Sequence, residues 1–157
     1  MKAIHWIIAA AAFVLVQPAP ASAGVNDPEV IIYRFPGVRD DGGNAGVGVA
    51  TVFHCTNFSG VSETLRFVSR DAIGTLLHND TVGITHLATV TASTHGTNAY
   101  LAEHGIPTGA VGQGTTAIAA TSINIICTAE TIDASAATPI GVARRGIRFS
   151  PVPGSQE

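Results

Sequence analysis

Short runs of alternating apolar and polar residues, separated by Gly, Asn and Asp, recur along this 157-residue chain. A period of two predicts β-strands whose side chains point alternately to two faces. Thr, Val and Ile are stiff at χ1 and suit a pleated surface, and they make up 42 of the 134 residues after position 23, against five Leu. The chain is therefore predicted to be all-β, either a sandwich or a barrel.

Seven segments carry the strand pattern. They are Glu29–Phe35, Gly46–Asn57, Glu63–Asp71, Leu76–His78, Thr81–Thr94, Ile123–Ile132 and Val142–Phe149. Within the third segment, Leu65 and Phe67 are expected to point inward, and Arg66 and Arg70 outward. Between the strands, Asn79-Asp80 is predicted to be a turn and Gly105–Gly114 a loop. The segment Asn98–His104 resembles a short helix in sequence.

The first 23 residues have the pattern of a secretory signal peptide. Lys2 precedes an apolar run from Ile4 to Val16, and Ala21-Ser22-Ala23 forms a small-residue cleavage site. The run is shorter than the roughly 20 residues that span a bilayer, so a cleaved signal is favoured over an uncleaved anchor. We expect a secreted or periplasmic protein that does not span the membrane. Its mature part is one β-domain over residues 24–149 with a flexible tail over 150–157.

The chain contains two cysteines, and two cysteines in an exported protein predict one disulfide. Cys55 and Cys127 both fall on the inward faces of their predicted strands, which predicts a bridge between the two sheets. The alternative is a redox or metal-binding thiol pair, but the chain has no C-x-x-C motif to support it.

Two stretches resemble small secreted bacterial β-sandwich proteins of loosely immunoglobulin-like type. They are Val52-Phe53-His54-Cys55-Thr56-Asn57 with Leu65–Asp71 and Gly74-Thr75-Leu76, and Gly114–Asp133 with the second cysteine strand. The resemblance covers about 100 residues and implies a sandwich fold and an exported location, but no activity. The chain departs from true immunoglobulin domains, since no Trp stands on the third strand and Ile125 replaces the expected corner Tyr.

Arginine is the only basic residue other than histidine after position 23, where seven arginines face eleven carboxylates and leave a charge of −4. This balance argues against a nucleic-acid partner. Four arginines lie on outward strand faces, Arg66 and Arg70 on one strand and Arg144 and Arg148 on the last. In an immunoglobulin-like order the Cys127 strand would run between them, so they either pair with Glu130 or form a face that recognises an anion or a partner.

Histidines offer the chain's candidate metal ligands. His78, His86, His95 and His104 are spaced by 8, 9 and 9 residues, and Asp80 or Glu103 could join them around Zn²⁺ or Cu²⁺. The chain has no H-x-H or H-E-x-x-H motif, and histidines on loops and strand ends are more often solvated than metal-bound, so the sequence argues against a metal site. Asp40, Asp41 and Asn44 could hold Ca²⁺, although the D-x-D-x-D-G spacing is missing. No cofactor is predicted.

No catalytic residues can be assigned. The chain lacks a G-x-S-x-G elbow, and its scattered carboxylates fit many pairings. The leading hypothesis is therefore a secreted, non-catalytic β-sandwich that binds a protein or cell-envelope partner. The alternative is a histidine-dependent metal-binding protein or metalloenzyme.

The signal-peptide assignment predicts that the exported protein begins at Gly24. N-terminal sequencing of the secreted or periplasmic form should read Gly-Val-Asn-Asp-Pro-Glu. A chain that still begins at Met1 in the membrane fraction would show that the segment is an anchor instead.

Overall fold

The structure, a computed structural model, describes residues 28–149. This part of the chain is all-β and contains no helix, as the residue pattern predicts. Its ten strands are β1 (Val30–Asp40), β2 (Val49–Asn57), β3 (Glu63–Asp71), β4 (Leu76–Ile84), β5 (Thr89–Ser93), β6 (His104–Gly105), β7 (Val111–Ala120), β8 (Ile125–Asp133), β9 (Val142–Arg144) and β10 (Ile147–Arg148). The predicted signal peptide over residues 1–23 and the tail over 150–157 lie outside the described residues.

The strands form two five-stranded sheets. The first sheet has the order β10-β1-β7-β3-β4, and the second has the order β6-β5-β2-β8-β9. Neighbouring strands are antiparallel except β5 and β6, which are parallel. The expected count of seven is therefore too low. One reason is that the last predicted strand is divided: β9 pairs with β8 in the second sheet, and β10 pairs with β1 in the first.

Three aromatic rings connect the two sheets through one core. Phe53 of β2 lies edge-on to Phe35 of β1, with ring centroids 5.5 Å apart, and 6.0 Å from the ring centroid of Phe67 of β3. All three side chains are fully buried. Since β1 and β3 belong to the first sheet and β2 to the second, the inward faces of both sheets share this core.

The Cys55–Cys127 disulfide is present, as predicted, but its expected position between the two sheets is wrong. β2 and β8 are neighbours in the second sheet, and the two cysteines are directly opposite each other with their Cα atoms 4.1 Å apart. Both side chains do point into the core. An inward position is compatible with either a cross-sheet or a cross-strand bridge, because opposed residues of antiparallel strands also approach closely.

Two segments that the sequence predicts as turn and loop are strands. β4 continues through Asn79 and Asp80, which pair with Val68 and Phe67 of β3. As an edge strand, it can carry polar residues on its exposed side. β7 begins inside the predicted glycine-rich loop and lies between β1 and β3, where its last five residues are all buried. Burial on both faces removes the alternation that would have identified β7.

The segment Asn98–His104, which resembles a short helix in sequence, is not helical. The backbone N–H of Asn98 donates to the carbonyl of Ala134 at 2.8 Å, and residue 104 enters β6. Across residues 28–149, no helix is long and apolar enough to cross a membrane.

Removing the disulfide should lower stability substantially. The bridge closes a loop between residues 72 positions apart, so the double variant Cys55→Ala/Cys127→Ala should lose about 2–4 kcal/mol of unfolding free energy. Urea denaturation of the oxidised protein and the variant measures this loss. The reduced wild-type protein is the control and should match the variant; equal midpoints for all three would contradict the expectation.

Candidate functional site

The two arginines of β3 are held by local partners. The Arg66 Nε atom lies 2.5 Å from the Glu29 carboxylate, and an Arg70 guanidinium nitrogen donates to the carbonyl of Gly74 at 2.9 Å. Arg66 is half-buried and Arg70 is exposed, both on the outward face of the first sheet, as the alternation predicts. The first guanidinium is thus an ion-pair partner, while the second closes the β3–β4 turn.

The other two arginines lie elsewhere. Arg144 of β9 belongs to the second sheet and donates to the Thr131 hydroxyl at 2.8 Å. Arg148 of β10 lies at the far edge of the first sheet and donates to the carbonyl of Ile123 at 2.6 Å. The Cys127 strand is beside β9 but in a different sheet from β3. The structure therefore does not bring the four predicted arginines onto one face.

Three of the predicted metal-site residues meet where the edges of the two sheets approach each other. His78 and Asp80, two residues apart on β4, share a face, and His104 of β6 comes from the other sheet. The His104 Nε2 atom is 3.3 Å from Asp80 Oδ2, without the alignment of a hydrogen bond. Burial lowers the pKa of His78, the nearby Asp80 opposes that effect, and His104 reinforces it. His86 is far from this edge in the β4–β5 loop, where its Nδ1 atom accepts from the backbone N–H of Gly60 at 3.1 Å.

His95 lies at a different place again, immediately after β5. Its Nδ1 atom is 2.9 Å from Asp40 Oδ2, and its Nε2 atom is 3.0 Å from the carbonyl oxygen of Val47. Asp40 ends β1 and is only 2% exposed, so this contact connects the first sheet to the second. The regular histidine spacing therefore does not gather the four histidines into one site.

Asp41 extends the His95 cluster toward solvent. Its carboxylate accepts hydrogen bonds from the backbone N–H groups of Val49 at 2.8 Å and Gly43 at 3.2 Å. The Val49 hydrogen bond is the largest cause of its lowered pKa, and His95 contributes to the same effect. Gly48 is required here, since its φ is +77° and a Cβ would collide with the Asp41 carboxylate. In the sequence, Asp41 and His95 are candidate ligands of two different sites. They are 54 residues apart, so no local pattern shows that they lie close together.

Residue patterns alone miss a polar cluster on the outer face of the second sheet. The Tyr100 hydroxyl donates to Glu130 Oε1, and His54 Nε2 lies 3.6 Å from that same oxygen. The second ring nitrogen of His54 contacts the Thr91 hydroxyl at 3.1 Å. Strand alternation does place His54 and Glu130 outward, but no local signal directs Tyr100, which lies in an irregular segment, toward them. The Tyr100–Glu130 hydrogen bond connects that segment to the sheet and favours the protonated form of the phenol.

Four of the twelve large, exposed apolar side chains of the described residues lie at one end of the two sheets. Phe58, Leu87, Ile123 and Ile126, which we call the apolar tip, have exposed fractions of 50%, 65%, 47% and 50%. Main-chain hydrogen bonds connect the loops that carry them. The N–H of Phe58 donates to the carbonyl of Asn124 at 2.9 Å. The N–H of Leu87 donates to the carbonyl of Asn57 at 2.8 Å. Ile126 joins the group through its pairing with Thr56.

The backbone of the apolar tip is strained at one residue. Leu87 has a φ of +61° and is the one non-glycine residue of the described chain with a positive φ. This region costs an L-residue roughly 1–2 kcal/mol relative to its ordinary conformations. The segments around the tip, 56–62, 84–89 and 121–129, contain no Asp, Glu, Lys or Arg. The loops therefore supply only uncharged side chains to the tip, and the Arg148 guanidinium of β10 reaches its edge at the Ile123 carbonyl.

The chain matches no protein-family model, no curated protein and no solved structure.

The Tyr100 contacts predict an unusual alkaline titration. Burial and then the Glu130 hydrogen bond raise the pKa of Tyr100 from 10.0 to about 12. Its stabilising effect should be complete below pH 10 and disappear as the pH rises toward 12, because the unfolded phenol ionises first. The 295 nm absorbance difference between wild type and Tyr100→Phe isolates this group.

In Glu130→Gln the midpoint of that titration should move toward 10. Glu103→Gln is the matched control and should move the midpoint less, because the Glu103 charge is the weakest of the causes. Equal shifts in the two variants would argue against the hydrogen bond as the cause.

Proposed function

We propose that this protein is an exported β-sandwich, loosely immunoglobulin-like, that binds a protein or cell-envelope partner through its apolar tip. The two sheets around one core support the sandwich, and the Cys55–Cys127 bridge supports an oxidising compartment outside the cytoplasm. The observation that carries the proposal is Leu87, a strained residue that presents an apolar side chain to solvent beside Phe58.

The energetics of the tip favour recognition over a structural role. Burial of an apolar side chain stabilises a fold, whereas these side chains remain about half exposed or more. Backbone strain outside glycine is retained mainly where function requires the conformation. Contiguous exposed apolar groups are typical of interaction surfaces. Strain and exposure therefore point to the same role at the same residue.

The chemistry of the tip defines the partner. Because the loops themselves carry no charged residue and the nearby Arg148 guanidinium is hydrogen-bonded to Ile123, the matching surface is expected to be mainly apolar, such as a patch on another exported protein. The hydrogen bonds between the loops hold the tip in its binding conformation, which reduces the ordering cost of association.

Site-specific photocrosslinking tests the proposed surface in the exporting cells. A photoreactive residue at position 87 should give one discrete adduct, while the same residue at Ile73, an exposed apolar position in the β3–β4 turn at the opposite end, should not. The captured protein, once purified, should bind Phe58→Ser at least about tenfold more weakly than wild type and bind Ile73→Ser normally. Identical adducts at positions 87 and 73, or no adduct at either, would overturn the proposal.

Leu87→Gly should separate stability from binding. Glycine adopts a positive φ freely, so the variant should gain about 1 kcal/mol of unfolding free energy in urea while losing affinity for the partner. Ile73→Gly is the control and should gain no stability, because Ile73 has no positive φ to relieve. A Leu87→Gly protein that is both more stable and fully active in binding would remove the functional reason for the strain.

A further inference from the structure

His95 is placed between two hydrogen-bond acceptors. The carbonyl of Val47, 3.0 Å from Nε2, can only accept, so Nε2 must carry a hydrogen. The Asp40 carboxylate, 2.9 Å from Nδ1, already accepts from the backbone N–H of Gly42 through its other oxygen. A neutral imidazole with its hydrogen on Nε2 would direct a lone pair from Nδ1 at a carboxylate oxygen. A positive charge, either a proton or a metal ion, is needed between those two atoms.

The Val47 contact is the arrangement that metal-binding histidines commonly have. Such a histidine usually donates its remote ring N–H to a backbone carbonyl or a carboxylate, which sets the tautomer and leaves the other nitrogen free to bind the metal. In this protein Nε2 is the remote atom and Nδ1 the free one. The backbone of Val47 thus orients the ring of His95 toward both aspartates.

Asp41 makes the charge of this cluster suit a divalent ion. Three ligand atoms, one each from Asp40, Asp41 and His95, lie within 4.8 Å of one another. Ligands about 2.0–2.2 Å from a shared metal ion lie roughly 3–4.4 Å apart, so small side-chain movements are sufficient. Two carboxylates with a neutral imidazole carry a charge of −2, which a divalent cation balances and a single proton does not.

We propose that Asp40, Asp41 and His95 bind one divalent transition-metal ion, of which Zn²⁺ and Mn²⁺ are the best matches. A mixed imidazole and carboxylate set favours these ions over Ca²⁺ and Mg²⁺, which prefer oxygen ligands alone. Asp40 and the ring of His95 are largely buried, whereas Asp41 is exposed and provides the route of entry. The bound ion would connect the end of β1 in the first sheet to the segment after β5 in the second.

This site is independent of the apolar tip. The loop between β1 and β2 and the segment after β5 lie at the opposite end of the strands from the β2–β3 and β4–β5 loops that form the tip. A failure of metal binding would therefore leave the proposed partner surface untouched, and a failure of partner binding would leave the metal site untouched.

Calorimetric titration of untagged, EDTA-treated protein with ZnCl₂ or MnCl₂ tests the proposal. We expect one ion per chain, a rise in melting temperature on binding, and a change in the His95 Nδ1 nitrogen shift by NMR. Asp41→Asn should weaken binding at least about tenfold, and His95→Gln should do the same. Asp71→Asn is the matched control, since that half-buried aspartate also accepts backbone N–H bonds in a turn but has no histidine beside it.

Three results would overturn the proposal. The first is no stoichiometric binding of either ion, in which case a proton occupies the position between His95 and Asp40. The second is binding that Asp41→Asn and His95→Gln leave unchanged, with both variants shown to be folded by circular dichroism. The third is binding that disappears in His78→Gln instead, which would assign the ion to the edge cluster of His78, Asp80 and His104.

Discussion

Strand β2 is the element on which the rest of the structure depends. It pairs with both β5 and β8, and its Cys55 is covalently bonded to the residue directly opposite on β8. On the same face, Phe53 contacts aromatic rings of β1 and β3 from the other sheet. Hydrogen bonding, a covalent bond and core packing thus converge within three residues. A change in the register of β2 by one residue would remove all of these contacts, because it would turn each side chain to the opposite face.

The two ends of β2 lead to the two surfaces for which we propose roles. Its C-terminal end enters the apolar tip through Asn57, a buried residue whose amide donates to the carbonyls of Val61 and Ile84. Its N-terminal end begins at Val49, whose N–H donates to Asp41 in the proposed metal site. A rigid strand that joins two loop regions holds each of them in place without contact between them. The fold therefore places the two surfaces with proposed roles at opposite ends of one strand.

The parts of the fold that the sequence predicted well are those with strict alternation. The bounds of β3 are predicted without error, and Leu65 and Phe67 are buried as expected, because one face of this strand meets the core and the other meets solvent. The same parity would have placed Glu63 inward, where it is fully buried and accepts from the Thr121 hydroxyl. Alternation does not reveal β7, because its small residues Ala117, Ala119 and Ala120 are buried on both faces. The first strand is predicted to end at Phe35, yet β1 continues through Pro36 and Gly37 to Asp40 with register shifts.

The sequence by itself determined that the chain forms strands, that Leu65 and Phe67 point inward, and that Cys55 and Cys127 are bonded. Each of these follows from local alternation or from the number of cysteines, so neighbouring residues carry the information. Only the tertiary structure decided which strands are neighbours and which sheet each belongs to. The disulfide therefore joins neighbouring strands of one sheet, and the four arginines are separated. The tertiary structure also decided that His95 meets Asp40, 55 residues away, and that Leu87 has a left-handed backbone. Contacts between distant segments depend on how the whole chain packs, and strand pattern alone is compatible with many such packings.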